Sequence, residues 1–187
     1  MSRRIFISFY ISDKAKEALE IVQNTLKDKN RHIRVNWTNL DGLHITVQFL
    51  GEIEDNILDI VREKVRDLAI KYNSISFELD KIDAFPDLQH PKVIIAKVFD
   101  HSRISNRLQK ELTDALVNKG ISVDLKIWKP HITLGRNKMG FKLAGLQDIV
   151  LENVSWQVDS IEIMESKLTI EGSSYSIVES YRLTNHG

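Results

Sequence analysis

Apolar side chains fall on every second position near the start of the chain. Ile5, Ile7, Phe9 and Ile11 alternate with Arg4, Phe6, Ser8 and Tyr10, which predicts a strand over residues 3–11 with one buried face. The period then changes. Ala15, Ala18, Leu19, Val22 and Leu26 recur at three and four, predicting a helix capped by Ser12 or Asp13 that ends near residues 27–30. Alternation returns with Leu43, Ile45, Val47 and Phe49 against His44, Thr46 and Gln48, a second strand.

A second amphipathic stretch, about residues 55–72, is expected to be the longest helix, with Ile57, Ile60, Val61, Val65, Leu68 and Ala69 on one side. Strand-like runs at 75–85 and 92–99 flank a loop marked by Pro86 and Pro91. A third helix spans about 102–118, with Ile104, Leu108, Leu112, Ala115 and Leu116 as its stripe and Gly120 as its stop. The remainder reads as strands at 132–135, 155–166 and 175–183, with Gly172-Ser173-Ser174 turning between the last two. Strands in hairpin-like pairs as well as around helices predict an α+β fold with antiparallel sheets, not a doubly wound parallel one. No linker interrupts the pattern, so residues 1–187 are expected to form a single domain of two lobes.

Composition narrows the chemistry. With 26 Lys plus Arg against 26 Asp plus Glu, the chain is no polyanion-coating protein, and any nucleic acid must be recognised locally. The lack of cysteine excludes disulfides, thiolate zinc sites, iron–sulfur clusters and a cysteine nucleophile. No run approaches the ~18 apolar residues of a membrane-spanning helix, and the short N-terminal apolar run has no cleavage site, so a cytoplasmic protein with no membrane partner is expected.

One short echo stands out: Leu43-His44-Ile45-Thr46-Val47 and Pro130-His131-Ile132-Thr133-Leu134, both His-x-Thr-x with apolar x. On a strand, residues two apart share a face at roughly 6–7 Å, so each histidine stands beside its own threonine while Ile45 or Ile132 anchors the backbone. Two such strands facing each other suit phosphodiester chemistry. An attacking oxygen must lose a proton while a leaving oxygen gains one, and imidazole titrates near neutrality. His44 and His131 are therefore the candidate acid–base pair, with Thr46, Thr133 and Arg136 as candidate phosphate holders. Lys129 and Lys138 make the second motif locally basic. Trp37 and Phe85 are candidates to stack on a base, Trp128 less so. The histidines lack metal-ligand spacing and no carboxylate stands beside either, so no metal and no other cofactor are expected; His32, His90, His101 and His186 fall in loops, helix starts or the tail. Nucleophile-elbow, P-loop and dinucleotide fingerprints are missing.

The same residues resemble the RNA 2′,3′-cyclic phosphodiesterases, also called 2′-5′ RNA ligases, of the two-histidine phosphoesterase superfamily. The likeness covers Arg4-Ile5-Phe6-Ile7, Val35-Asn36-Trp37, both motifs, Phe49-Leu50-Gly51-Glu52, Phe85-Pro86, Pro91-Lys92-Val93-Ile94, Lys129 through Arg136, and Glu165-Ser166-Lys167-Leu168. It implies a bilobal fold with a pseudo-two-fold axis and an active site in the cleft. It also implies metal-free hydrolysis of a terminal 2′,3′-cyclic phosphate to a 2′-phosphomonoester. By resemblance His44 is the proton donor to the departing 3′ oxygen and His131 the acceptor that activates water, with Thr46 and Thr133 holding phosphate. Two departures are visible: a longer approach, Thr38-Asn39-Leu40-Asp41-Gly42, and Val47-Gln48 where the family has a Leu-x pair.

RNA ends or small cyclic nucleotides are the expected partners, and DNA is excluded because a cyclic 2′,3′-phosphate needs a 2′-hydroxyl. A monomer is expected. The same site also admits 2′-5′ ligation, another cyclic or 2′,5′-linked nucleotide as substrate, or noncatalytic gripping of an RNA end.

Overall fold

The computed structural model describes residues 2–169 and 172–184. Its strands are β1 Ser2–Phe9, β2 Asn36–Trp37, β3 Ile45–Glu54, β4 Ile75–Phe85, β5 Val93–Phe99, β6 His131–Arg136, β7 Ser155–Val158, β8 Ser160–Thr169 and β9 Gly172–Arg182; its helices are α1 Asp13–Lys29, α2 Asp55–Ala69 and α3 Ile104–Val117. The fold is α+β. The strands hydrogen-bond in the order β7-β4-β5-β6-β3-β1-β8-β9, with β2 alongside the far end of β6, and every pairing is antiparallel.

The sheet narrows at its centre. β3 meets β6 through the single pair Ile45 and Ile132, whereas β1 follows β3 over its whole length. Two four-stranded halves, β7-β4-β5-β6 and β3-β1-β8-β9, thus join at one point. That both isoleucines are fully buried makes the junction a core contact; burying such a side chain contributes about 1.5–3 kcal/mol.

The helices form for the expected reasons. In α1 the stripe Ala15, Ala18, Leu19, Val22 and Leu26 is buried, and Ser12 Oγ accepts the Ala15 N–H as N-cap. α3 buries Leu108, Leu112 and Leu116, and Asp100 supplies its cap by accepting the Ser102 and Ser105 backbone N–H groups. At 17 residues α1 is longer than α2 at 15, contrary to expectation, because the chain turns after Ala69 with Ile70 as C-cap; its core contact Leu58 lies beside the expected stripe.

Four further expectations are corrected. β1 is buried on both faces: Phe6 and Ser8 are 2% exposed, because β8 and β9 curl over the side whose pattern predicts a polar face. The alternation of β3 breaks at Val47, an extra residue opposite Ile7 and Ser8. Gln48 turns inward, where Gln109 Nε2 and Thr113 Oγ of α3 both donate to its Oε1, and Phe49 turns out, 43% exposed, with the Arg4 guanidinium 5.1 Å from its ring centre. The single strand expected over 155–166 is two. β7 pairs with β4 and β8 with β1, so the chain crosses from one half to the other at Asp159. Gly172, Ser173 and Ser174 belong to β9 itself, paired with Thr169, Leu168 and Lys167. His186 lies outside the described residues.

Candidate active site

The central junction brings the two motifs together. Carried one residue either way, the antiparallel Ile45–Ile132 register sets His44 across from Thr133 and Thr46 across from His131, all four on the face opposite the buried isoleucines. Leu134 is an extra residue on β6 between the pairs Ile95–Thr133 and Ile94–Gly135. The bulge shifts the alternation by one and returns Arg136 to the histidine face, where its charge is felt by His131. Gly135 is required behind the bulge, because a Cβ there would lie 2.9 Å from the Trp37 ring and 3.1 Å from the Val35 side chain.

Both rings are held in the same way. His44 Nδ1 donates to the Gly42 carbonyl at 2.8 Å, and His131 Nδ1 to the Lys129 carbonyl at 2.6 Å, in each case two residues back. A carbonyl only accepts, so Nδ1 carries the proton in both neutral rings and Nε2 is left to face the cleft. Thr46 Oγ lies 3.1 Å from His44 Nε2 and donates to it. Burial is the main cause that pushes both imidazoles below their ordinary pKa, against the pull of the Nδ1 bonds. The His131 charge lowers His44 further, and Arg136 lowers His131.

The surroundings differ. His44 is walled by aromatic rings, Phe6 at 4.8 Å and Tyr175 of β9 at 5.2 Å, the latter edge-on. A Cβ on Gly42 would stand 3.2 Å from the Tyr175 ring, so the bare glycine lets its carbonyl and that ring share the space. His131 meets one ring, Phe85, edge-on at 5.3 Å, and opens into a groove of about 480 Å³ toward Trp128, Phe99 and Arg103. Trp128 Nε1 donates to the Thr46 carbonyl at 2.8 Å, which ties the segment before the second motif to the strand of the first.

Of the residues expected to stack, Phe85 stands at His131, whereas the Trp37 ring packs toward Gly135 and lies 5.8 Å from Lys27 Nζ of α1. Trp37 is therefore turned to the helix side of β6, a correction that follows from its pairing with Gly135, the residue after the bulge.

The chain is similar to known proteins in sequence and fold. The family model of LigT-like phosphoesterases fits residues 10–95, which carry the first motif. Among curated relatives, the RNA 2′,3′-cyclic phosphodiesterase of Thermotoga maritima is 28% identical over 94% of this chain and 92% of its own length, and that of Aquifex aeolicus is 26% identical over 96% and 97%. In fold, the chain resembles the crystal structure of a Thermus thermophilus protein, with a TM-score of 0.84 at 24% identity over 98% of this chain and 100% of that one. It also resembles E. coli LigT complexed with 3′-AMP, with a TM-score of 0.81 at 18% identity over 99% and 100%. The chain is thus similar to the LigT-like phosphoesterases over residues 10–95 and to the RNA 2′,3′-cyclic phosphodiesterases over nearly its full length.

The sequence pattern left out Phe6 and Tyr175 as neighbours of the site, and it offered Trp128 only as a weaker candidate to stack. Phe6 carried a signal, an aromatic on the face assigned to solvent. Tyr175 carried none, since only the curl of β9 over β8 and β1 brings it to His44. None of the described helices is long and apolar enough to cross a membrane.

Proposed function

We propose that this chain hydrolyses RNA 2′,3′-cyclic phosphates to 2′-phosphomonoesters, with His44 and His131 as acid and base. Water attacks phosphorus and gives its proton to His131 Nε2. The P–O3′ bond breaks, and the departing 3′ oxygen takes the Nε2 proton of His44, which enters the step as imidazolium and leaves it neutral, giving a 3′-hydroxyl and a 2′-phosphate. Thr46, Thr133 and Arg136 donate to the nonbridging oxygens, where charge must be held for in-line displacement. A single observation carries this reading: two imidazoles at the junction of paired strands, each fixed through Nδ1 by a carbonyl two residues back, so that both Nε2 atoms are left for proton transfer in the cleft. The relatives named RNA 2′,3′-cyclic phosphodiesterase support the substrate.

The reaction needs no metal, and a 2′-hydroxyl requirement excludes DNA ends. Residues 1–187 work as one two-lobed unit, because each half of the sheet supplies one motif, and a monomer in the cytoplasm is part of the same proposal. The test is turnover with EDTA present, of 2′,3′-cyclic AMP and of a short RNA ending in a cyclic phosphate. Wild type should yield a 2′-phosphate, while His44→Ala and His131→Ala should each be nearly inactive; EDTA-sensitive turnover or active mutants would overturn the mechanism.

A further inference from the structure

The groove beside His131 reaches well beyond the two imidazoles. Its volume of about 480 Å³ is of the size that takes a small organic group, and its wall runs from Phe85 past Trp128 to Phe99. Phe99 is 52% exposed, a large ring left largely in water, with the His101 ring beside it at 6.0 Å. Several charges of the groove are already engaged. Lys97 pairs with Asp83, His101 with Glu78, and Asp100 caps α3 through Ser102 and Ser105. Asp80 is the remaining acid of the lining. Lys129 and Arg103 line the same groove, and among the described residues neither has an acidic partner. Arg103 stands at φ +56°, ψ +22°, a left-handed conformation that glycine adopts at less cost, so the position presents a cation where the backbone favours no side chain.

A free 2′,3′-cyclic nucleotide carries one anionic group, and that group sits between the two Nε2 atoms. Two further cations in a groove continuous with the site match a second anion. An RNA end has one, the phosphodiester on the 5′ side of the reacting ribose, with a base next to it that stacks on aromatic walls. We propose that the groove formed by Phe99, Trp128, Lys129 and Arg103 binds the nucleotide immediately 5′ of the cyclic end, which makes the chain selective for RNA ends over free cyclic nucleotides. The assignment rests on the reaction proposed above.

The experiment compares kcat/KM for 2′,3′-cyclic AMP with that for a short RNA ending in a 2′,3′-cyclic phosphate, in wild type, Phe99→Ala and Arg103→Gly. Glycine suits the left-handed backbone at 103, so this variant tests the side chain with the fold kept. Wild type should favour the RNA about tenfold or more, the scale of one stacked base. Both variants should shrink that ratio, and Arg103→Gly should also flatten the salt dependence of RNA turnover by about one phosphate contact. Equal kcat/KM for the two substrates in wild type overturns the groove assignment and leaves the reaction standing. A proportional loss on both substrates in the variants also overturns it, by placing the reacting nucleoside itself in the groove. No turnover of either substrate overturns the reaction and this inference with it.

Discussion

The two histidines occupy equivalent places in their motifs and unlike places in the molecule. His44 and His131 each give Nδ1 to a carbonyl two residues back and each stand beside a threonine. His44, however, is closed in by Phe6 and Tyr175, which come from β1 and β9 of its own half. His131 has only the edge of Phe85 before the groove begins. A duplicated motif thus fixes how each ring is oriented, and the surrounding strands decide how dry it is and what can approach it. On the proposed assignment the enclosed ring is the acid, and the ring open to the groove is the base that water reaches.

The hardest test of the equivalence is removal of either ring. His44→Ala and His131→Ala should each lower kcat by about 10²–10⁴, and the double variant should lose little more than either single one, because the pair acts as a unit. A double loss equal to the product of the singles would break the pairing.

Thr46→Val should cost more than Thr133→Val. Thr46 Oγ stands 3.1 Å from His44 Nε2, able to orient that ring as well as to meet phosphate, and loss of a single phosphate donor is worth up to about 10²–10³ in kcat. Equal losses would remove that distinction between the motifs.

The pH dependence sharpens the comparison further. Both folded-state pKa values are depressed, so the unfolded chain, with histidine near ~6.5, binds more protons as acid is added. Stability should hold above that pH and fall as pH drops through the window below it. The denaturant midpoint measured from neutral to mildly acid pH should show this, with a shallower decline in His44→Gln. The kcat/KM profile should be a bell whose two apparent pKa values belong to the pair and lie at or below the ordinary histidine value. Tyr175→Ala should raise the pKa of His44 measured by NMR and leave that of His131 in place, since the ring covers only the former.

The smallest effect expected is that of Trp128→Phe. It deletes the N–H donated to the Thr46 carbonyl, a neutral hydrogen bond worth about 0.5–1.5 kcal/mol, and should lower the denaturant midpoint modestly. A larger fall in kcat than in stability would show that this cross-link positions the first motif.

Much of this was legible along the chain because local periodicity reports local burial. The helix stripe of α1, the loop at Pro86 and Pro91, and the His-x-Thr pairs are patterns within a few residues, and the structure keeps them. Reading failed where a residue's environment is supplied by distant strands. Phe49 and Gln48 exchanged faces because a bulge at Val47 resets the alternation, and a bulge has no signature in the side chains that carry it. The strand expected over 155–166 split because its two parts pair with different partners, β4 and β1.

The sequence alone determined that this is an α+β chain with two His-x-Thr strands, since repeat and period are properties of neighbours in the chain. Only the tertiary structure decided that Ile45 meets Ile132, that Leu134 bulges to bring Arg136 back beside His131, and that Tyr175 seals one histidine while the other opens to a groove. Those outcomes depend on which strands pair and how the sheet curls, and register is set by contacts between residues far apart in the chain.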